Sequence, residues 1–170
     1  MHDCHISRKD EVEMVRTAKA DGLHITAGAC PHHLFMTNED VKTMDYRATM
    51  KPPLDTDEDQ QALWDGLLDG TIDIIETDHA PHLLSEKESG EARFGVPGLE
   101  TALGLMLKAV KDAKIEQRKV FELMFENPKR IFKIPEQEDT YIELDPDEPY
   151  TFDETKQETK CAWSPFHGQE

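Results

Sequence analysis

Short apolar runs alternate with amphipathic segments along most of the chain. Residues 23–30 and 72–75 are apolar runs that include β-branched side chains, which is typical of buried strands. Residues 11–20 and the segment from Thr56 to Gly70 repeat apolar side chains at helical spacing instead. Because the two kinds of segment alternate, the pattern predicts βαβ units and a parallel sheet.

The later part of the chain changes to a helical pattern and then to an acidic one. Residues 99–110 carry a broad apolar helical face, and further helices are predicted over residues 116–125 and from residue 127. The apolar side chains of residues 131–134 are expected to pack against the core.

Two segments lack helical periodicity. Residues 83–93 are polar and are predicted to form a mobile loop beside the end of the preceding strand. Residues 136–154 are rich in acidic side chains and contain no Lys or Arg, with an alternating stretch at 140–144 that fits an edge strand. We therefore divide the chain into residues 1–135, which carry the sheet and the helices, and residues 136–170, an extended acidic C-terminal arm with a small β element.

The length of the chain limits how much of such a fold it can form. A complete (β/α)8 barrel takes about 250 residues, and this chain has 170. The predicted elements therefore suffice for about half of a barrel. Since residues 1–6 already belong to a predicted strand, we expect that an upstream portion precedes them.

Composition excludes several classes of partner. The formal net charge is −17 at pH 7, so nucleic acid and anionic membrane surfaces, which need basic protein surface, are not expected as partners. No apolar run of the sequence is long enough to span a bilayer. Cys4, Cys30 and Cys161 share no CxxC spacing, and their odd number favours a reduced, intracellular protein over a disulfide framework. We therefore expect a cytosolic protein that holds any anionic substrate with a local group of positive side chains.

Carboxylate and imidazole groups are concentrated directly after the predicted strand at residues 72–75. Asp78, His79 and His82 follow it, and the carboxyl ends of the strands are where αβ barrels carry their chemistry. His5 stands at the end of the first predicted strand in the same way. Because zinc takes imidazole and carboxylate ligands, His5 and Asp78 predict a zinc-type site at one rim of the sheet. The structural alternative is that Asp78 caps a helix and the histidines lie on a loop surface.

Two more histidines follow the strand at residues 23–30. Pro31 closes that strand, and His32 and His33 come directly after it. Adjacent side chains of an extended chain point in opposite directions. At most one of these two imidazoles is therefore expected to face the site.

Five motifs of the sequence together resemble a known family. In chain order they are Cys4-His5-Ile6-Ser7, Cys30-Pro31-His32-His33-Leu34, Met50-Lys51-Pro52-Pro53-Leu54, Thr77-Asp78-His79-Ala80-Pro81-His82 and Phe94-Gly95. Their order and intervals are similar to those in the C-terminal half of dihydroorotases, which belong to the amidohydrolase superfamily. The tail, residues 137–141 and 163–169, is most similar to the dihydroorotase domain of multifunctional animal pyrimidine-synthesis enzymes.

The resemblance implies a fold and a reaction. The fold class is α/β, the C-terminal half of a metal-dependent hydrolase (β/α)8 TIM-like barrel with the C-terminal arm appended. The reaction is the reversible, zinc-dependent cyclisation of N-carbamoyl-L-aspartate to L-dihydroorotate in pyrimidine (UMP) synthesis. The implied partners are the small-molecule substrate, a missing N-terminal barrel half, and either a homo-oligomer or a pyrimidine-synthesis enzyme complex.

The resemblance also assigns roles to individual residues. In the family, two zinc ions per complete site polarise the substrate carbonyl and activate a bridging water. His5 corresponds to a zinc ligand, and Asp78 to a residue that both binds zinc and acts as the general base. His32 and His33 receive a supporting role. The positions that correspond to substrate contacts are Lys51, His82, Phe94 and Gly95, the last two through their backbone.

Three positions depart from the family pattern. Lys51 stands where relatives have Arg or Asn, so a point charge would replace a bidentate contact. Gly28 stands where Glu is usual, and Asp3 where the family strand is apolar. In the family, a His-x-His pair, a metal-bridging modified lysine and another ligand histidine come from the N-terminal half of the barrel. The sequence contains no His-x-His.

Two functional alternatives stay open beside a fragment of an active dihydroorotase. With only two of the family's zinc ligands, the chain by itself is predicted to bind zinc weakly and to show no turnover. The main alternative is a catalytically silent dihydroorotase-like module that serves as a scaffold in a pyrimidine-synthesis assembly. A different cyclic amidase, such as an allantoinase, is disfavoured by the string Ala80-Pro81-His82.

Overall fold

The computed structural model describes residues 1–89, 93–145, 148 and 150–169. Its strands are β1 (His2–Asp3), β2 (Thr26–Ala29) and β3 (Ile74–Ile75). Its α-helices are α1 (Lys9–Ala20), α2 (Pro31–Phe35), α3 (Asn38–Met44), α4 (Asp57–Asp69), α5 (Leu84–Glu88), α6 (Ala102–Lys111), α7 (Gln117–Phe121) and α8 (Asn127–Phe132). A π-helical turn, Glu122–Glu126, joins α7 to α8, and short 3-10 helices lie at Asp45–Ala48 and Glu154–Lys156. Within these ranges no helix is long and apolar enough to cross a membrane.

The three strands pair in parallel in the order β1, β2, β3. α1 connects β1 to β2, while α2, α3 and α4 connect β2 to β3, and these are the helical crossovers that parallel strands need. Backbone hydrogen bonds continue the pairing past the strands, from the Ile6 N–H to the Gly28 carbonyl at 3.0 Å and from the Glu76 N–H to the Ala29 carbonyl at 3.1 Å. The predicted βαβ arrangement is confirmed. The strands are shorter than the apolar runs from which they were predicted.

The two faces of the sheet differ in chemistry because side chains alternate along a strand. Ala27, Ala29 and Ile75 point into the core beneath the helices. By alternation and register, the opposite face carries His2, Cys4, Thr26, Gly28, Ile74 and Glu76. The polar groups of this second face lie next to the carboxyl ends of the strands.

Two hydrophobic cores stabilise the fold. The first lies between the sheet and the helices and includes Val12, Val15, Leu34, Leu63, Trp64, Leu67, Ile72, Met106, Val120 and Leu123. The second lies between the segments that follow the strands and the C-terminal arm, and it consists of Met36, Ala48, Met50, Leu54, Val96, Leu105, Cys161, Trp163 and Phe166. Since Trp163 and Phe166 are buried in this second core, the end of the arm packs firmly against the rest of the chain.

Helix α4 shows how local sequence sets the bounds of an element. The Thr56 hydroxyl accepts the Asp59 N–H at 3.3 Å, and the Asp59 carboxylate accepts the Thr56 N–H at 3.2 Å, which forms a capping box. Gly70 ends the helix with a φ of 84°, a left-handed conformation that glycine adopts without a Cβ penalty. Leu63 and Leu67 are fully buried. The helix predicted between Thr56 and Gly70 is confirmed.

Two predicted irregular segments differ from expectation. Residues 83–93, predicted as a mobile loop, contain α5, and Lys87 within it is only 4% exposed. Residues 90–92 of that segment lie outside the described residues. The small β element predicted for the arm is wrong over residues 140–144, because no described strand pairs with them and Tyr141 and Ile142 are 80% and 72% exposed.

The end of the helical region is also less buried than predicted. Phe132 and Ile134 are 52% and 45% exposed, although the apolar pattern predicted that they pack against the core. α7, the π-helical turn and α8 follow one another without a break, and Val120 and Leu123 occupy the inner face of this helical run. Only one face of such a run can contact the sheet, so the apolar side chains on its other faces meet solvent.

Candidate functional site

The site forms where the three parallel strands end. β1, β2 and β3 end at Asp3, Ala29 and Ile75, and the carboxyl ends of parallel strands meet at one edge of a sheet. His5 lies two residues past the end of β1, and Asp78 three residues past the end of β3. The topology therefore brings both sequence-predicted metal ligands to the same edge.

His5 and Asp78 share an unusual backbone conformation. Their φ angles are 42° and 41°, in the left-handed region that side chains other than glycine seldom adopt. Strained residues of this kind persist where the surrounding structure holds them, often at functional sites. Both side chains also lie in the surroundings of His33, whose pKa is lowered by burial, while the charge of His5 lowers it further and that of Asp78 raises it. No described hydrogen bond or ion pair joins His5 to Asp78 directly, and their shared metal stays a prediction.

Glu76 contributes a carboxylate that the sequence analysis did not single out. It accepts a hydrogen bond from the backbone N–H of His5. Its carboxylate oxygens lie 3.8 Å from His5 Nδ1 and 3.7 Å from His2 Nε2. His2 Nδ1 is held 2.8 Å from the Thr26 hydroxyl, which turns the opposite ring nitrogen toward Glu76. One carboxylate, directly after β3, therefore lies near one imidazole on β1 and a second just past the end of β1.

The position of this carboxylate explains the glycine at residue 28. A Cβ atom built on Gly28 would overlap the carboxyl group of Glu76, which crosses from the neighbouring strand. Glycine is required there because the carboxylate occupies the space of a side chain. The resemblance leads one to expect an acidic side chain at position 28, and in this chain the carboxylate of Glu76 occupies that space.

Two groups of three donor side chains are close enough to share an ion. Among the described residues these groups are Cys30, His32 and His33, and His2, Cys4 and Glu76, with donor atoms within 4.8 Å of one another in each group. Neither group contains His5 or Asp78. These two residues offer donors of the types that zinc takes, but they do not complete a set of three described donors. The chain therefore fits the family's zinc site only in part, and we derive no catalytic step through a metal.

His32 and His33 differ from their predicted arrangement. α2 begins at Pro31, so the two histidines lie on a helical turn and not on an extended chain. Both are buried, with ring centroids 4.4 Å apart, so the assumption of an extended chain is wrong, and which of the two imidazoles faces the site stays a prediction. Burial lowers the pKa of His32 and raises the pKa of the neighbouring Cys30 thiol. The signal in the sequence was Pro31 itself, because proline suits the first position of a helix.

The four predicted substrate-contact residues come together beside the end of β3. The Lys51 ammonium lies 4.1 Å from the centroid of the Phe94 ring. The ring of His82 donates from Nε2 to the Phe94 carbonyl at 3.1 Å. Gly95 has a φ of 114°, and a Cβ atom there would overlap the Cβ atom of Ala80. Residues from three separate motifs thus form one surface patch.

His79 joins the strand-end segment to the chain that follows this patch. Its Nδ1 accepts the backbone N–H groups of Gly98 and Leu99, both at 3.2 Å. His79 also pairs in parallel with Val96, and the Ala80 N–H donates to the Val96 carbonyl at 3.0 Å. These contacts continue the parallel pairing past β3 and position the segment next to Asp78.

Lys87 stabilises the same region through hydrogen bonds to its backbone, and the sequence analysis did not predict this role. Its ammonium donates to the carbonyls of Thr49, Arg93 and Gly95 at 2.8, 3.0 and 2.8 Å, and it lies 5.4 Å from the ring centroid of Trp163. Burial lowers the pKa of Lys87 to about 8. This lysine connects α5, the segment before Lys51 and the substrate patch through backbone groups. The sequence did not indicate that Lys87 is buried, because the residues around it are polar, as in a surface loop.

Solved structures with the same arrangement place the chain in a class of proteins. It superimposes on the L-hydantoinase (dihydropyrimidinase) from Arthrobacter aurescens with a TM-score of 0.89 and 28% identity, over 99% of this chain and 40% of that one. It also matches the inactive dihydroorotase-like domain of the CAD-like multifunctional protein of Chaetomium thermophilum, with a TM-score of 0.76 and 28% identity over 99% of this chain and 45% of that one. The fold of the chain is that of part of an amidohydrolase barrel.

Within this class the chain is related by sequence to the dihydroorotases. It is 39% identical to the dihydroorotase of Lactobacillus leichmannii over 99% of this chain, and 40% identical to the multifunctional protein CAD of Squalus acanthias over 99% of this chain. No family model matches the chain. The chain spans 42% of the length of the first relative and 8% of the second. The predicted resemblance and fold class are confirmed, and the likeness to amidohydrolases implies a metal cofactor for the complete site.

Proposed function

We propose that the chain forms the C-terminal part of a dihydroorotase barrel. The complete protein would interconvert N-carbamoyl-L-aspartate and L-dihydroorotate in pyrimidine synthesis. The observation that carries this proposal is the convergence of Lys51, His82, Phe94 and Gly95 into one patch directly after the Asp78 strand end. The sequence relation to dihydroorotases supports the choice of this substrate among cyclic amides.

Charge favours an anionic substrate at this patch. The chain as a whole carries a formal net charge of −17, so its surface repels anions except where a cation is exposed. Lys51 is exposed and stands over an aromatic ring, which holds its ammonium group in place. We assign to Lys51 the contact with the substrate carboxylate. His82 then positions the Phe94 carbonyl and the Gly95 backbone that follow.

Asp78 is assigned the role of general base and metal ligand, and His5 that of metal ligand. The left-handed backbone at both residues supports a role beyond packing, because such strain is stored where a side chain must be aimed. We propose zinc as the metal, with its remaining ligands supplied from outside this chain. Zinc, when bound, would activate water near neutral pH.

The wider setting follows from the relatives and the cysteines. We propose that the parent protein takes part in pyrimidine synthesis, either as a homo-oligomer or within a multifunctional assembly, with residues 1–135 in the barrel and residues 136–170 as an arm. All three cysteines are free in the structure. Free thiols suit a reducing compartment, which supports a cytosolic location.

A chimera tests the proposed activity. The matching segment of the Lactobacillus leichmannii dihydroorotase would be replaced by this chain, and ring opening of L-dihydroorotate would be measured. We expect turnover, and we expect Asp78→Asn to reduce kcat by about 10²-fold to 10⁴-fold because the base is lost. Asp65→Asn, on the exposed face of α4, serves as the matched control and should leave kcat unchanged.

A catalytically silent module is the second candidate function. It is favoured by the likeness to a solved dihydroorotase-like domain whose description calls it inactive. The supply of a carboxylate from Glu76 removes Gly28 as an argument for loss of function. A chimera that folds and binds zinc as the parent enzyme does, yet opens no dihydroorotate ring, would refute the enzymatic proposal and support the scaffold.

A further inference from the structure

We propose that Cys30, His32 and His33 form a separate metal-ion site that takes a thiophilic divalent cation, with Zn²⁺ as the best match. The donors would be the Cys30 sulfur, His32 Nε2 and His33 Nδ1. This site is distinct from the predicted pair His5 and Asp78. It does not depend on the proposed dihydroorotase activity.

The three donors belong to one turn of chain. Cys30 is the N-cap of α2, and Pro31 begins the helix, so residues 32 and 33 fold back over the cap. The ring centroids of His32 and His33 are 4.4 Å apart. The donor atoms of all three side chains lie within 4.8 Å of one another. A zinc ion at about 2.0–2.3 Å from each donor would need only a modest contraction by side-chain rotation.

Two of the donor atoms lack a partner. His32 Nε2 and His33 Nδ1 are buried side-chain nitrogens without a hydrogen bond in the described structure. Leaving such an atom unsatisfied costs about 1–3 kcal/mol, so a buried orphan needs an explanation. A metal ion bound to the Cys30 sulfur and to both orphaned nitrogens would explain the two unsatisfied atoms together.

The tautomer of His33 suits a metal ligand. Its Nε2 lies 3.0 Å from the Pro52 carbonyl, which can only accept, so Nε2 carries the proton. The lone pair is therefore on Nδ1, the orphaned atom. A backbone carbonyl that accepts the second N–H of a histidine is the usual way in which metal-bound imidazoles are oriented.

The surrounding charges favour a cation. Burial lowers the pKa of both imidazoles, which keeps them neutral and ready to bind, and it raises the pKa of the Cys30 thiol. Glu76 and Asp78 lie close enough to act on that thiol electrostatically. Binding would replace the thiol proton, which is released to solvent, with the ion. The net positive charge of an ion with one thiolate would then face two nearby carboxylates.

Cobalt(II) can report which thiol binds. The full 170-residue chain would be titrated with Co²⁺ alone, and the near-ultraviolet thiolate-to-cobalt charge-transfer band would be recorded. We expect the band in the wild type and in Cys4→Ser, and its loss in Cys30→Ser. Cys161→Ser, in the second core, is a further control that should keep the band. No band in the wild type, or a band lost with Cys4→Ser and kept with Cys30→Ser, would overturn the proposal.

X-ray absorption at the zinc edge avoids any dependence on a variant that fails to fold. The wild-type chain loaded with one equivalent of Zn²⁺ should show one sulfur at about 2.3 Å and two imidazole nitrogens. One sulfur with a single imidazole would instead indicate the His2, Cys4 and Glu76 group and would refute the proposal. Neither result bears on dihydroorotate turnover, so this proposal and the proposed function can fail separately.

Discussion

At the level of single residues, one side chain on the polar face of the sheet fills the space left by a glycine on the neighbouring strand. Gly28 has no side chain, and the Glu76 carboxylate from β3 lies where a Cβ at position 28 would be. That carboxylate accepts the His5 N–H and faces His2. Gly28 and Glu76 therefore act as one structural unit, and neither position reveals this alone.

Gly28→Ala should expose this coupling. The new methyl group is expected to displace the Glu76 carboxylate and lower the free energy of unfolding by about 1–3 kcal/mol, because the His5 N–H loses its acceptor. Urea unfolding measures the loss. In the double variant Gly28→Ala/Glu76→Ala the new methyl group meets empty space. Its loss in stability should therefore be smaller than the sum of the losses of Gly28→Ala and Glu76→Ala measured separately.

Gly104→Ala is the matched control for that substitution. Nothing lies within 4 Å of a Cβ atom at Gly104, which is inside α6, so alanine should leave stability unchanged or raise it by about 0.5–1 kcal/mol. Equal losses from Gly28→Ala and Gly104→Ala would show that Glu76 does not occupy the proposed space.

The residue scale also shows where sequence reasoning stopped. Asp78 and His5 could be singled out because strand ends carry the chemistry of parallel αβ folds, and their roles stay predictions. Glu76 and Lys87 could not, because their importance comes from atoms that are distant in sequence. Lys87 bonds to Thr49, 38 residues away, and Glu76 to His5, 71 residues away.

At the level of elements, α5 supports the substrate patch through one buried lysine. Lys87 donates to three carbonyls, one at Thr49 and two in the segment from Arg93 to Gly95, and the residue is only 4% exposed. The helix itself is short, Leu84–Glu88, and an isolated helix of this length is unstable in water. The lysine therefore stabilises α5 and the patch together.

Lys87→Met should remove the hydrogen bonds that connect α5 to the substrate patch. It keeps the length of the side chain but removes all donors, so buried carbonyls lose their partner and the free energy of unfolding should fall by about 1–3 kcal/mol. Lys42→Met on exposed α3 is the control, with an expected change within about 0.5 kcal/mol. Thermal unfolding of both variants is the measurement, and equal midpoints would contradict the role of Lys87.

The pH dependence of stability should carry the signature of the same lysine. Burial lowers its pKa to about 8, whereas the unfolded chain keeps the ordinary lysine pKa of about 10.4. Between these values the unfolded state holds a proton that the folded state has released, so stability rises with pH. The difference in free energy of unfolding between wild type and Lys87→Met should therefore increase from about pH 8 to about pH 10. A difference that stays constant or falls across this range would exclude a lowered pKa.

Element prediction succeeded where a local signal was complete. The helix between Thr56 and Gly70 has a cap, an apolar stripe and a terminal glycine, and α4 has these bounds. The strands were overestimated in length because an apolar run marks burial, whereas a strand also needs a paired neighbour. Residues 140–144 show the opposite failure, since they alternate as a strand does but no described strand lies beside them.

At the scale of the whole molecule, the end of the arm packs against the substrate patch. The fully buried Trp163 donates from its indole N–H to the His82 carbonyl at 2.7 Å, and its ring lies near the Lys87 ammonium. The acidic residues 136–145 are exposed. The end of the arm, in contrast, contacts the substrate patch over more than 80 residues of sequence.

Trp163→Ala should destabilise the chain by about 3–5 kcal/mol, because it leaves a large cavity in the second core. Trp163→Phe keeps most of the ring and removes the hydrogen bond to His82, so we expect a smaller loss in stability together with a raised KM in the chimera. Tyr150→Ala, at a residue 63% exposed, is the control. Chemical denaturation and steady-state kinetics would measure both effects, and an unchanged KM for Trp163→Phe would argue against support of the patch by the arm.

The sequence by itself determined the alternation of the strands with helices such as α4, the parallel arrangement and the relation to dihydroorotases. These follow from local periodicity, capping residues and short motifs, which act over a few neighbouring positions. The motif residues Asp78, His5, Lys51 and His82 could be named on the same basis.

Only the tertiary structure decided which of these groups share surroundings. In the structure, the Glu76 carboxylate occupies the space next to Gly28, and Lys87 donates hydrogen bonds to the backbone of the substrate patch. His32 and His33 are buried beside Cys30. The physical reason is that burial, orphaned donors and electrostatic neighbours arise from contacts between elements. A pattern along the chain records which side chains are available, whereas packing sets the atoms that each of them meets.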